Sequence, residues 1–592
     1  MADSAMAPQL APTALPFTIG ITGHRDILRV EEDRIRPALE AFFMSHATSY
    51  PQLPIRLMSA LAEGADRIVT RVFLETRQRL INDGALGIDA WELIVTFPFA
   101  EQAYRDDFPN SVDEFEQLLS AASGVVTISH AKVGQIRSDQ GKRDEGYEAQ
   151  GHYMLRHSNL VIALWDGVHL DLKGGTSHVV RLKIRGHENP GNPFSVHDCG
   201  PIWHVPVERG GAGSKVHIGE ARYIFPDHGL CSGIQLEQLK GDLSRFNTTW
   251  ARTGDVAAAR KTRQYLAPAG EEGETLLRKW LSDASSHDRQ ILALYCMADV
   301  MAVRHDQQRT RLIRCLYATG FVLALSLWTG LDKIAQVWMV GAYLAALIVV
   351  IGLFARLTRR DLSKDQLDYR LFAEALRVQL YLRMLDEKPN DANDISDDDD
   401  GRMFGSTVLD ALLTQHAMEI GWIREALRLC GWVKKPTHLA IGDRALLVRH
   451  WVNDQLAYFA RSELKYDNAH RRIRRLAVLC AIGGVVAAAS AVWIDQNGLS
   501  EDLRHGASIA AAMFPAMALL LESYKDRMAI EEQAKNYARM RAVFGRFADR
   551  FHTATPDKMP SAGLVRSLAQ EALSESVNWL ILRRSKPPVL PT

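Results

Sequence analysis

Four long apolar runs dominate the second half of the chain, at residues 315–331, 337–355, 476–494 and 507–521, and none contains Asp, Glu, Lys or Arg. Each approaches the roughly 20 residues needed to cross a hydrocarbon layer about 30 Å thick. They pair into two hairpins, the first closed by residues 332–336 and the second by a longer polar loop. The pattern predicts four membrane-crossing helices, with four buried core helices of a large α-helical domain as the competing reading. The last run is the shortest and contains Pro515.

Basic residues orient the hairpins. Arg309, Arg311 and Arg314 precede the first run, and Arg356, Arg359 and Arg360 follow the second. Arg471, Arg472, Arg474 and Arg475 precede the third, and Lys525 and Arg527 follow the fourth, while the connecting loops carry Asp332, Asp495, Glu501 and Asp502. Positive residues collect on the cytosolic side of a membrane, so both hairpins are expected to enter and leave from the cytosol, with both termini cytosolic. The two hairpins read as copies. The segment from Asp306 to Arg311 leads into one and that from Asp467 to Arg472 into the other, and Tyr369 and Tyr537 keep register. Residues 367–385 predict a helix with Phe372, Leu376 and Leu380 on one face.

The first half has a different rhythm. At 16–22, Phe17, Ile19 and Ile21 alternate with Thr18, Gly20 and Thr22, as in a strand. A helix follows, burying Ile35, Leu39 and Phe42 or Phe43. Further strands are predicted at 55–58, 91–96, 124–128, 159–165 and 201–207, with helices between. This alternation predicts a doubly wound parallel sheet.

Composition adds limits. The 592 residues carry 70 basic and 70 acidic groups, a formal net charge of zero, which argues against a general nucleic-acid-binding surface. Cys199, Cys231, Cys296, Cys315, Cys430 and Cys480 have no metal-ligand spacing and are expected to be reduced. Residues 1–14 lack the basic start and apolar core of a secretory signal and read as a disordered tail. The domains expected are a head at 15–265, a linker at 266–285, a first two-helix module at 286–385, an acidic linker at 386–405 and a second module at 406–592. The acidic linker lacks the alternating ligands of a calcium loop.

In a parallel sheet, ligands sit beyond the carboxyl ends of the strands. Three glycine-bearing turns are predicted there. The first holds Gly20, Gly23, His24 and Arg25. The second holds Ser59, Gly64, Ala65 and Asp66. The third follows Asp166 and contains Gly174, Gly175 and Thr176. Arg209 follows the last predicted strand. Glycine lets backbone approach a phosphate, and a helix N-terminus presents N–H groups to it. His24 and Arg25 are the leading phosphate-binding candidates, since guanidinium chelates phosphate oxygens in a planar fork. Asp66 reads as a helix-start residue or a general base, His178 as a ligand contact or a surface residue, and Tyr104-Arg105 as a lid or a surface loop. No dinucleotide or Walker fingerprint and no metal set is present.

The stretch from Ser59 to Asp66 and the Gly174-Gly175-Thr176 turn resemble the SLOG superfamily, Rossmann-like relatives of the DNA-processing protein A and the LOG nucleotide hydrolases, with related domains heading the TRPM channels. The resemblance covers about residues 15–227. The Trp451, Gln455 and Tyr458 helix, the arginine-bracketed hairpin and the helix carrying Tyr369, Arg370, Glu374 and Arg377 resemble the SLATT family of two-helix membrane effectors, found beside bacterial nucleotide-signalling and defence genes. These likenesses imply an α/β Rossmann-like parallel-sheet head followed by an all-α region with two transmembrane hairpins. They imply a nucleotide- or NAD-derived ligand with no required cofactor, a lipid bilayer as partner, and a homo-oligomeric, pore-forming effector in antiviral defence or cell suicide. One departure matters: LOG hydrolases carry a catalytic Glu three residues after the Thr of the glycine turn, and Val179 stands there. A sensor is therefore expected ahead of a membrane-tethered nucleotide hydrolase or a structural scaffold, and no catalytic residue is assigned.

Overall fold

Leu160–Trp165 is buried at every position. A strand apolar on both faces belongs in the interior of a sheet covered by helices on each side. The computed structural model describes residues 14–85, 91–129, 131–168, 174–186, 199–210, 219–226, 232–283, 286–330, 337–359, 362–384, 417–429, 440–552 and 562–584. It divides into two units, one from residues 1–256, 284–297 and 386–437, the other from residues 257–283, 298–385 and 438–592.

The first unit begins with β1 (Phe17–Gly23), α1 (Arg29–Ser49), β2 (Ile55–Ser59), α2 (Ala65–Asn82) and β3 (Glu92–Phe97). It continues through α3 (Glu101–Tyr104), α4 (Val112–Ser120), β4 (Gly124–Thr127), α5 (Val133–Ser138), α6 (Gln140–His157) and β5 (Leu160–Trp165). The remaining elements of this stretch are α7 (Thr176–Arg185), β6 (Ile202–Pro206), β7 (Arg222–Ile224) and α8 (Gly233–Thr253). The strands form a seven-stranded sheet in the order β4-β3-β2-β1-β5-β6-β7. Ile19 of β1 registers with Leu57 of β2 on one side and Leu160 of β5 on the other, all parallel. The chain lays down β1 to β4 in one direction and then crosses to β5. The β1/β5 boundary is therefore the topological switch point, where doubly wound sheets open a crevice.

All six expected strands are present, with ends shifted by a residue or two. The seventh was missed: β7 runs antiparallel to β6, so the sheet is mixed rather than wholly parallel. Its Arg222-Tyr-Ile224 is a three-residue edge, two of them exposed, too short to show alternation. The core under α1 and α2 is aromatic, with Phe73 stacked on Trp91 at 5.4 Å between centroids.

The predicted linker at 266–285 contains α10 (Glu271–Asp283), which follows α9 (Val256–Arg263) and buries Leu276, Leu277, Trp280 and Leu281. Pro268 and Gly270 precede that helix, and Gly273 lies in its first turn. The segment 386–405 lies outside the described residues. Beyond α11 (Ser286–Gly330), α12 (Val337–Arg359) and α13 (Leu362–Met384) comes α14 (Ala417–Leu429). Sequence reading placed α14 in the second two-helix module, but it groups with the first unit. His157 Nδ1 lies 2.8 Å from Arg428 O, and Asn159 Nδ2 donates to Glu425 at 3.2 Å.

The second unit is helical among its described residues. Phe372, Leu376 and Leu380 of α13 are buried, as their spacing predicts. After α14 come α15 (Ile441–Gln496), α16 (Glu501–Arg527), α17 (Ile530–His552) and α18 (Ala562–Arg584). Two helical stretches, Gly442–Gln496 and Glu501–Phe551, contain segments long and apolar enough to cross a membrane. Their apolar windows are 17% and 0% buried, so they are not core helices of this unit. The helix α16 continues through Pro515. A Cβ on Gly484 of α15 would lie 2.7 Å from Pro515 Cδ, so glycine there admits the ring. In the first hairpin, Tyr343–Arg356 is a shorter apolar stretch, and the connecting residues 331–336 lie outside the described residues.

Candidate functional site

A cavity of about 370 Å³ opens where the carboxyl ends of β1 and β5 diverge. Of the residues predicted from sequence, Gly23, His24, Arg25, Asp66, Gly174, Gly175, Thr176 and Arg209 line it. These eight come from four separate segments and meet only because β1 and β5 are neighbours. Gly20, Ser59, Gly64, Ala65 and Asp166 stand outside the lining, and each has a structural task instead.

The first two turns are docked on each other. Ala65 N–H donates to His24 O at 3.0 Å. A Cβ on Gly23 would fall 2.3 Å from Ala65 Cβ, so this glycine permits contact between turns. Gly64 has φ of +76°, open to glycine at little cost, and a Cβ there would strike His24 O. Gly20 faces α6, with Met154 Sδ 2.1 Å from where its Cβ would stand. Ser59 Oγ accepts Leu61 N–H at 3.1 Å and supports Leu61 in the left-handed region, at φ of +56°.

Asp66 sits in the first turn of α2, as a helix-start residue should. Its carboxylate accepts Ala60 N–H at 3.0 Å and is bonded by Ala62 N–H. Burial nevertheless raises its pKa to about 6, against the pull of those N–H groups and of Arg25 and Arg67. Glu63 turns away and accepts the Ser111 hydroxyl.

The cationic side of the cavity is Arg25. Its guanidinium lies 5.2 Å from the Tyr147 ring centroid and 5.8 Å from that of Phe108. Burial alone would lower its pKa, but Tyr147, Tyr104 and Asp107 hold it above the ordinary value. Tyr147 is itself bonded to Asp107, which also pairs with Arg143. His24 Nε2 lies 3.0 Å from Asp166 Oδ1 and 3.2 Å from Asp166 N, so one ring nitrogen either donates to the carboxylate or accepts the amide. Arg209 donates to Asp26 at 3.1 Å and keeps one face on the cavity.

The third turn leads into α7. Gly174 has φ of +73° and donates its N–H to His178 Nδ1 at 3.0 Å, so His178 braces the turn. Gly175 is the N-cap and offers no side-chain acceptor to the first N–H groups of α7. Val179 is buried in the lining.

Tyr104-Arg105 splits in two. Arg105 points outward to Glu101 and Glu116. Tyr104 is fully buried, lines the cavity, and its hydroxyl has no hydrogen-bond partner among the described residues. Burial holds its pKa well above the ordinary phenol value, so it stays a neutral donor. Sequence reasoning missed Tyr147, Gln150, Gly151 and Met154, all on α6. The one signal was glycine inside a helix. A Cβ on Gly146 would stand 2.9 Å from Phe99, and one on Gly151 3.3 Å from Val179.

The arrangement suits an anion carrying hydrogen-bond acceptors: a guanidinium, a buried hydroxyl without a partner among the described residues and a helix N-terminus whose N-cap is glycine share one cavity. No protein-family model and no curated protein matches the chain.

Proposed function

We propose that this protein is a membrane effector gated by a nucleotide or NAD-derived ligand, with the switch-point cavity as the sensor and the apolar hairpins as the output. The observation that carries the reading is the buried Tyr104 hydroxyl, without a partner among the described residues, beside Arg25 in a cavity facing the α7 N-terminus. A buried donor left unpaired costs about 1–3 kcal/mol, which a ligand acceptor would recover. The likeness of the Ser59–Asp66 and Gly174–Thr176 turns to SLOG domains supports the ligand class, and the arginine-bracketed hairpins support a SLATT-type output. Ligand binding would favour one packing of the helices over another, and a pore would require several copies. All soluble parts would lie in the cytosol.

The test uses full-length protein and a panel of AMP, ADP, NAD and ADP-ribose. A bound ligand raises the melting temperature by mass action. The same ligand should release dye from vesicles carrying the protein. Binding without release removes the effector reading; a panel without any shift removes the sensor.

A second reading rests on Asp66, a cavity carboxyl with its pKa raised to about 6, near the range of a general base. It is a nucleotide hydrolase, and it requires product on incubation with the same panel, lost in D66N.

A further inference from the structure

One wall of the switch-point cavity is a single face of α6. Tyr147, Gln150, Gly151 and Met154 line it at spacings of three and four residues, so they stack along the helix. At 1.5 Å per residue the row is about 10 Å long. Its two ends differ in chemistry. The Tyr147 end holds the charge: Arg25 lies 5.2 Å from that ring centroid, and the Tyr104 ring lies 6.2 Å from it. The Met154 end is apolar. Met154 and Val179 belong to one buried hydrophobic cluster, Met154 seats against Gly20 of β1, and the adjacent Ile21 also lines the cavity. An anionic group suits the first end, and an uncharged flat ring suits the second.

Gln150 stands between these ends. Its Nε2 donates to Thr96 Oγ1 of β3 at 2.9 Å, and Thr96 is fully buried, so the carboxamide is pinned to the sheet. Its Oε1 has no hydrogen-bond partner among the described residues, and the side chain borders the cavity. A pinned amide with an open acceptor reads a hydrogen-bond donor on a ring edge, and glutamine meets the adenine 6-amino group in this way. A site built around such a bond rejects the analogue that lacks the donor, because the oxygen is then left unpaired. We infer that Gln150 sets base specificity, accepting from the amino group of an adenine ring whose phosphate lies at Arg25 and Tyr104. Thr96 is the positioning residue behind it.

The inference rests on the nucleotide-sensor reading and deepens it. Full-length protein is titrated calorimetrically with AMP and IMP, ADP and IDP, and NAD and its hypoxanthine analogue. Each pair differs at the purine 6-position, amino against oxo. The adenine member should bind tighter by about 10-fold or more. Q150L should lower adenine binding about 10-fold while moving hypoxanthine binding far less, which brings each pair level. T96V should lose part of the preference, and T96S, which keeps the hydroxyl, should retain it. A merely structural role would lower both members of a pair equally. Q150M serves if Q150L melts early without ligand. Nucleotides that bind without amino–oxo discrimination, or a preference that survives Q150L, overturn the inference and leave the sensor standing. Tighter binding of the oxo member would mean an inverted amide and overturns it likewise. If none of these nucleotides binds, the sensor reading and the inference fall together.

Discussion

The Arg25 guanidinium lies 5.2 Å from the centre of the Tyr147 ring, and the two belong to segments more than a hundred residues apart. The contact presents the guanidinium fork to the cavity. A charge-assisted hydrogen bond contributes about 1.5–3 kcal/mol, so R25A should weaken binding of any responding nucleotide by roughly 10- to 100-fold. R25K keeps the charge but not the fork and should recover only part of it. Calorimetric titration of the variants measures this, and unchanged affinity in R25A would remove Arg25 from the site.

Y104F should separate ligand binding from stability. Its hydroxyl has no partner among the described residues, so removing it should stabilise the ligand-free protein by about 1 kcal/mol while weakening ligand binding. A structural hydroxyl would behave in the opposite way. Chemical denaturation with and without nucleotide distinguishes them.

Asp66 makes stability depend on pH. Its folded pKa, about 6, lies above the ordinary carboxyl value, so the folded state holds a proton that the unfolded state releases. The penalty is absent below about pH 4, grows as pH rises through 6, and is complete above that. At about 1.4 kcal/mol per pH unit it reaches up to ~3 kcal/mol. D66N should therefore be more stable than wild type at pH 7.5, with the gain vanishing near pH 4. A gain that persists at pH 4 contradicts this origin.

Gly23 should tolerate no side chain. G23A drives a methyl group into Ala65 Cβ and Leu164 O, both backed by core. A loss of at least about 2 kcal/mol is expected, with nucleotide binding lost alongside. Near-wild-type melting would mean that the two turns can separate.

Val485 is 71% exposed in the third apolar run. Lys at this position should cost about 2.5–3.5 kcal/mol if the segment crosses a membrane. The V485K variant should then insert its third run less efficiently, measured as greater protease accessibility of the 495–506 loop and adjoining helix in membranes. On a water-facing helix the same change would raise solubility and leave that accessibility unaltered.

The sequence by itself determined what the strongly patterned segments are, though not the short edge strand β7 or the helix α10. Phe17, Ile19 and Ile21 specify a strand, and the charge-free stretch at 476–494 a long apolar helix, because partition between water and apolar surroundings acts residue by residue and its periodicity is local. Only the tertiary structure decided which residues meet. Gly20 and Gly64 look like phosphate glycines in the chain, yet they make room for Met154 and His24, since what a missing Cβ avoids is set by neighbours distant in sequence. Tyr104 and Tyr147 carry no motif. They reach the cavity because the sheet reverses its order between β1 and β5, and that order depends on the packing of the whole unit.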